Sequence, residues 1–177
     1  MGVIPFGAIA EGGSFEYGDS HWELRGLQES YDAAEAFTVG TSSVKIPPIQ
    51  AMMVLKIIAW GERTFPTDCT DFYHLLVAAC KIADEDGTLR ESEMWDSYTI
   101  VELCEGNPQL IAAVIQSQRL RNIFEGEAAD RCREILSDID ARENFIAMAL
   151  REQRDETVIA NDRKLCEAFI TGLELVS

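Results

Sequence analysis

The run AMMVLKIIAW, Ala51 to Trp60, contains nine apolar residues and a single charge, Lys56. Apolar surface of this extent has to leave water, so the segment belongs in a protein interior, where a lone ammonium is costly. On a helix, Met52, Leu55 and Ala59 form one apolar stripe and Met53, Ile57 and Trp60 the next. Lys56 follows Met52 by one turn and so lies at or beside the buried face. Two readings are open. The lysine can snorkel, its stem covering apolar surface and its amine in water. Alternatively it faces a cleft and neutralises an anion there, because burial tolerates a cation only beside an anionic partner.

The residues that follow bear on that choice. Arg63 stands two turns beyond Lys56 on the same face. TDCTD, Thr67 to Asp71, then opens a further helical segment, with Asp68 and Asp71 spaced to share one face near its N-terminus. The plain reading of such an opening is N-capping by Thr67 or Asp68 and complementarity to the helix dipole, at about 1 kcal/mol.

Around this segment the chain divides into two styles. Residues 3–46 read as strands and turns. Val3–Ala10 is an apolar run. Phe15–Tyr17 and His21–Leu24 flank Gly18-Asp19 as a hairpin, and Leu27–Ala36 suits a short helix. FTVGTSSVKIPP gives two short β segments stopped by Pro47-Pro48. From residue 49 onward the periodicity is helical. Helices are expected over 49–62, stopping near Gly61, and over 68–83, 90–105, 108–124, 127–151 (broken) and 161–175. The expected class is α+β: a small mixed or antiparallel sheet over 1–48, then a helical region over 49–177. That region would comprise cleft helices over 49–83 and a C-terminal bundle over 90–175, the whole forming one compact unit. So short a sheet leaves strand edges that helices or another chain must cover. A homo-oligomer, or a protein partner covering the strand near Val3, is therefore expected.

Composition limits the function classes. With 177 residues the chain can build a sizeable core. Its formal charge is −16, with three basic and seven acidic residues in the first sixty and the heavier acidity beyond. Such a surface repels nucleic-acid phosphates. No apolar stretch is long enough for a membrane span, and the N-terminus lacks the basic region of a signal peptide, so a cytoplasmic location is expected. The five cysteines include no C-x-x-C pair and lie mostly among apolar neighbours, as reduced, buried thiols do. ADEDGTLRESE, Ala83 to Glu93, lacks the glycine and final glutamate of a calcium loop and reads as a solvated helix end. His21 and His74 read as structural, and Trp22, Trp60 and Trp95 as core residues.

Taken together, VIPFGAI…EGG, PPIQAMMVLKIIAWGER and DCTDFYHLL resemble the C-terminal two thirds of the AbiEii-type nucleotidyltransferase family, some of whose members are toxins or phage-defence proteins. The resemblance covers roughly residues 3–80. It implies that Lys56 holds the triphosphate of a bound NTP, that Asp71 and Asp68 help organise the site, and that Arg63 lies near the same cleft. The chemistry implied is transfer of a nucleotidyl group from an NTP–Mg²⁺ complex, which needs carboxylates for the metal and a cation for the triphosphate.

Several family parts are missing. The family's Gly-Ser loop and D-x-D pair precede the PFG strand, and Gly13-Ser14 here is followed by no such acid pair at the family distance. Gly2 stands where a third carboxylate is expected, and Thr67 where a lysine is usual. The expectation is a truncated or degenerate relative that does not catalyse alone, or one completed by a separate polypeptide. The alternative is a non-catalytic acidic interaction module, antitoxin-like or scaffold, binding a basic partner.

Overall fold

The computed structural model describes residues 14–17, 20–124 and 126–175. The expected strand at Val3–Ala10, and the partner contact proposed there, lie outside these residues. The class is α+β as expected, and among the described residues the strands form two two-stranded antiparallel sheets. In the first, β1 (Ser14–Tyr17) pairs with β2 (Ser20–Glu23) in the register Tyr17↔Ser20. Helix α1 follows over Leu27–Asp32, shorter than the sequence suggests, because Glu35 and Ala36 are taken into the next hairpin.

That hairpin joins β3 (Glu35–Val39) to β4 (Ser42–Ile46) through Gly40-Thr41, with Gly40 at φ 63°. Every residue of both strands is exposed. Alternation puts Phe37, Val39, Val44 and Ile46 on one face, Phe37 directly opposite Val44. The Lys45 ammonium lies 3.9 Å from the centre of the Tyr31 ring and ties the hairpin to α1.

The remainder is helical: α2 (Ile49–Arg63), α3 (Pro66–Glu85), α4 (Tyr98–Leu103), α5 (Pro108–Arg119), α6 (Glu127–Ser137), α7 (Ile139–Ala149) and α8 (Glu156–Glu174). The expected break between α6 and α7 falls at Asp138, whose carboxylate caps α7 by accepting from the Ala141 amide. The expected 90–105 helix is divided. A 3₁₀ turn covers Glu93–Asp96, and Ser97 then caps α4, which interrupts the helical ladder. Trp95 is not a core residue. Its ring is partly exposed and its indole N–H donates to the Leu89 carbonyl at 2.8 Å. The last helix starts at Glu156, earlier than the pattern suggests, because Asp155 caps it through the Thr157 and Val158 amides.

One apolar core joins these helices. Trp60 of α2, Phe72 of α3, Phe145 of α7 and Phe169 of α8 make a chain of edge-on ring contacts with centroids 5.0–5.1 Å apart. Gln116 is fully buried; it accepts from Gln50 at 2.6 Å and donates to the Ala79 carbonyl, which joins α5 to α2 and α3. All five cysteines are free and buried, and burial pushes the thiols of Cys69, Cys80, Cys132 and Cys166 up to about 12. No described helix is long and apolar enough to cross a membrane.

Gly61 does not stop α2. The helix runs on to Arg63, and Gly61 allows close approach to α6, since a Cβ there would lie 2.5 Å from Ile135 Cδ1. The stop is Thr64, a β-branched residue at φ 51° whose amide donates to the Trp60 carbonyl at 2.8 Å. This tight reversal lays α3 back along α2 and so positions the site.

Candidate functional site

Helices α2 and α3 bring Lys56, Arg63, Asp68 and Asp71 into one ion-pair network. Lys56 Nζ lies 3.2 Å from Asp68 Oδ1 and 2.6 Å from Asp71 Oδ2. Arg63 grips Asp68 with two donors, Nε to Oδ2 and a terminal guanidinium nitrogen to Oδ1, each at 2.8 Å. Asp68 is buried, its side chain 1 % exposed, whereas Lys56 is 31 % and Asp71 51 % exposed. Lys56 therefore does not simply snorkel into open solvent; its amine is held between two carboxylates of the facing helix.

The capping expected at the start of α3 is absent. Phe65 occupies the N-cap position, with no side-chain bond, and Pro66 takes the first helical position, where a missing N–H costs nothing. Asp68 is thus released from capping to meet the two cations, and Thr67 is exposed.

The electrostatics follow from this geometry. Burial would raise the Asp68 carboxyl, but hydrogen bonds and charge from Arg63 and Lys56 outweigh it and hold the group below the usual aspartate value. Partial burial would lower Lys56, yet Asp71 and Asp68 together keep it above the usual lysine value. The Asp68 hydrogen bonds raise Arg63 in the same way. Two cations balance two carboxylates, so the cluster carries no net charge.

Lys56 and Asp71 also line an open groove of about 440 Å³ between α2 and α3, with Met52, Leu55, Leu75 and His74. Its size falls in the range of about 300–1,000 Å³ typical of small-molecule sites. The groove is mainly apolar, with the lysine, one carboxylate and an imidazole as its polar groups. His74 joins the site by standing one turn beyond Asp71 on α3; that spacing was visible in the sequence but says nothing about a groove.

The residues do not fit a magnesium ion. Mg²⁺ demands a near-octahedral shell of oxygens. Both Asp68 oxygens are engaged by Arg63 and Lys56, and Asp71 is bound by Lys56. Among the described residues no group of three His, Cys, Asp or Glu side chains is arranged to hold a metal.

A second polar cluster, which no sequence pattern marks, lies on another side of α3. Tyr73 Oη donates to Asp162 Oδ2 of α8 at 2.6 Å and accepts from Gln153 Nε2 at 3.3 Å. These partners are far apart in sequence and no periodicity links them.

Comparison with protein-family models, characterised proteins and solved structures finds no match to this chain.

Proposed function

We propose that this chain is a nucleotidyltransferase-fold protein related to AbiEii-type toxins, retaining part of an NTP-binding cleft and not catalytic alone. The observation that carries this reading is the position of the Lys56 amine, at the polar end of an apolar groove and between Asp68 and Asp71. Met52, Leu55 and Leu75 offer a wall against which a base can pack, and Lys56 can turn one N–H toward a phosphate. Binding is weak in this reading, because the triphosphate has to compete with Asp71 for the lysine and approach a chain of formal charge −16. Asp68 and Asp71, the acids that the resemblance places at this site, are committed to Lys56 and Arg63, which supports a binding role without turnover. Fluorescence anisotropy with a labelled NTP tests this: saturable binding is expected, and Lys56→Ala abolishes it. Labelled NTP with magnesium and total RNA leaves the RNA unlabelled; incorporation by the pure chain would overturn the non-catalytic part of the reading.

A second reading, a non-catalytic acidic interaction module, is favoured by the exposed apolar face of the β3–β4 hairpin, where Phe37 and Val39 are 46 % and 64 % exposed. An isolated hairpin is marginal in water, and such a face is suited to cover by a protein partner or by a second copy. Sedimentation of the chain as a clean monomer at high micromolar concentration would remove the second copy from consideration.

A further inference from the structure

The Tyr73–Asp162 pair borders a cleft of about 770 Å³ between α3, α5 and α8. Val77, Leu89, Pro108, Ala112 and Leu165 supply apolar walls. Asp162 is its partly buried carboxylate, and a neutral phenol is its hydrogen-bond donor. The cations close to it in sequence or along the cleft are turned elsewhere. Arg163 pairs with Glu143 and Glu167, Lys164 with Glu105, and Lys81, on the cleft wall, with Glu85. No described cation lies within ion-pair distance of Asp162.

A half-buried carboxylate with one neutral donor keeps acceptor capacity for a further donor, and the charge attraction of a cation beside it is stronger than it would be in open water. Tyr73 fixes the direction of the carboxylate. Burial and the Asp162 charge both keep the phenol protonated, so its O–H remains a donor. The phenol ring and the aliphatic walls can take the apolar body of a ligand. Asp84 adds a second, exposed carboxylate at the rim, and the chain's formal charge of −16 concentrates cations nearby.

We propose that this cleft binds a small organic cation, a primary amine carrying an alkyl or aryl body, with Asp162 as counter-ion and Tyr73 as the residue that positions it. The site is separate from the Lys56 groove: Asp71, His74 and Leu75 face one side of α3, and Tyr73, Val77 and Cys80 the other.

The test compares phenethylamine with its neutral counterpart 2-phenylethanol, by calorimetry and amide-resolved NMR titration on the full chain. The amine saturates and shifts amides of α3, α5 and α8 around the cleft, and the alcohol binds about tenfold or more weakly. Asp162→Asn removes that preference. If that variant folds poorly, Val77→Trp, at a partly exposed position on the cleft wall, blocks the amine while leaving Asp162 in place. Lys56→Ala leaves amine binding unchanged, so failure here is distinguishable from failure of the nucleotide reading. Equal binding of amine and alcohol, retention of amine affinity in Asp162→Asn, or no saturation of the native chain would overturn the proposal.

Discussion

Lys56 Nζ sits 2.6 Å from Asp71 Oδ2, across the groove that separates α2 from α3. This contact is half-exposed and exchangeable, whereas the Asp68 carboxylate behind it is buried. The inner pairs therefore act as structure and the outer pair as the part of the network that a ligand can displace.

Replacing Asp71 by Asn removes the exchangeable anion and leaves Lys56 anchored on Asp68. Stability falls by less than about 1 kcal/mol, as expected for an exposed pair. Affinity for a labelled NTP rises by about threefold to tenfold, because one like charge no longer opposes the phosphates. Anisotropy titration of native and variant chains measures both the direction and the size.

Asp68→Asn loosens the α2–α3 junction. Removing one partner of a buried pair costs about 3–5 kcal/mol. Lys56 and Arg63 can rehydrate, so about 1–3 kcal/mol is expected here, or about 2–4 °C of Tm per kcal/mol for a chain of this size. The pH dependence has a defined sign. Asp68 lies below its ordinary 3.8 in the folded chain, so its contribution is complete above that value and disappears as pH falls through the lower folded one. Lys56 lies above its ordinary 10.5, so its contribution is complete below that value and lost as pH rises through the higher folded one. Thermal melts of native and Asp68→Asn protein should differ most at neutral pH and converge on strong acidification.

The hairpins, most helices and the shared faces of Lys56 with Arg63 and of Asp68 with Asp71 were legible in the sequence, because each rests on local spacing: period two, period 3.6, or residues a turn or two apart. That the two pairs meet across α2 and α3 was implied only by the family resemblance, since tertiary packing alone brings them together. Helix ends were less legible. Gly61 resembles a stop but serves the contact with Ile135, and Thr64 takes a conformation that a glycine normally fills. Ser97 divides one expected helix, and Asp155 starts another early, because a capping residue looks the same inside a polar stretch as at its edge. The Tyr73–Asp162 pair was invisible because tertiary packing alone brings α3 and α8 together.

Thr64 pays for the reversal between α2 and α3 with a left-handed backbone. Thr64→Gly relieves about 1–2 kcal/mol of local strain and returns about 0.5–1 kcal/mol through the greater freedom of the unfolded chain. A net stabilisation of about 0.5–1 kcal/mol is expected in urea titration, with the slope unchanged.

Two glycines inside helices allow close packing and resist even a methyl group. At Gly172 a Cβ would run into Ser117 Oγ and lie 3.2 Å from Val114 Cα, which is backbone and cannot yield. At Gly61 it meets the Ile135 side chain, Cδ1 at 2.5 Å and Cγ1 at 2.8 Å, with no backbone atom among its nearest neighbours. Gly172→Ala is therefore expected to destabilise by about 2–3 kcal/mol and Gly61→Ala by about 1 kcal/mol, despite alanine's better helix propensity. Denaturant midpoints of the two variants measure the order.

The most direct measurement is an amide-resolved NMR titration of the chain with ATP, repeated on Lys56→Ala. A nucleotide site between α2 and α3 predicts saturable shifts along Met52, Leu55 and Lys56 and along Asp71, His74 and Leu75, absent from the variant. A native spectrum that ATP leaves unmoved, or shifts of the same size without the lysine, would contradict it.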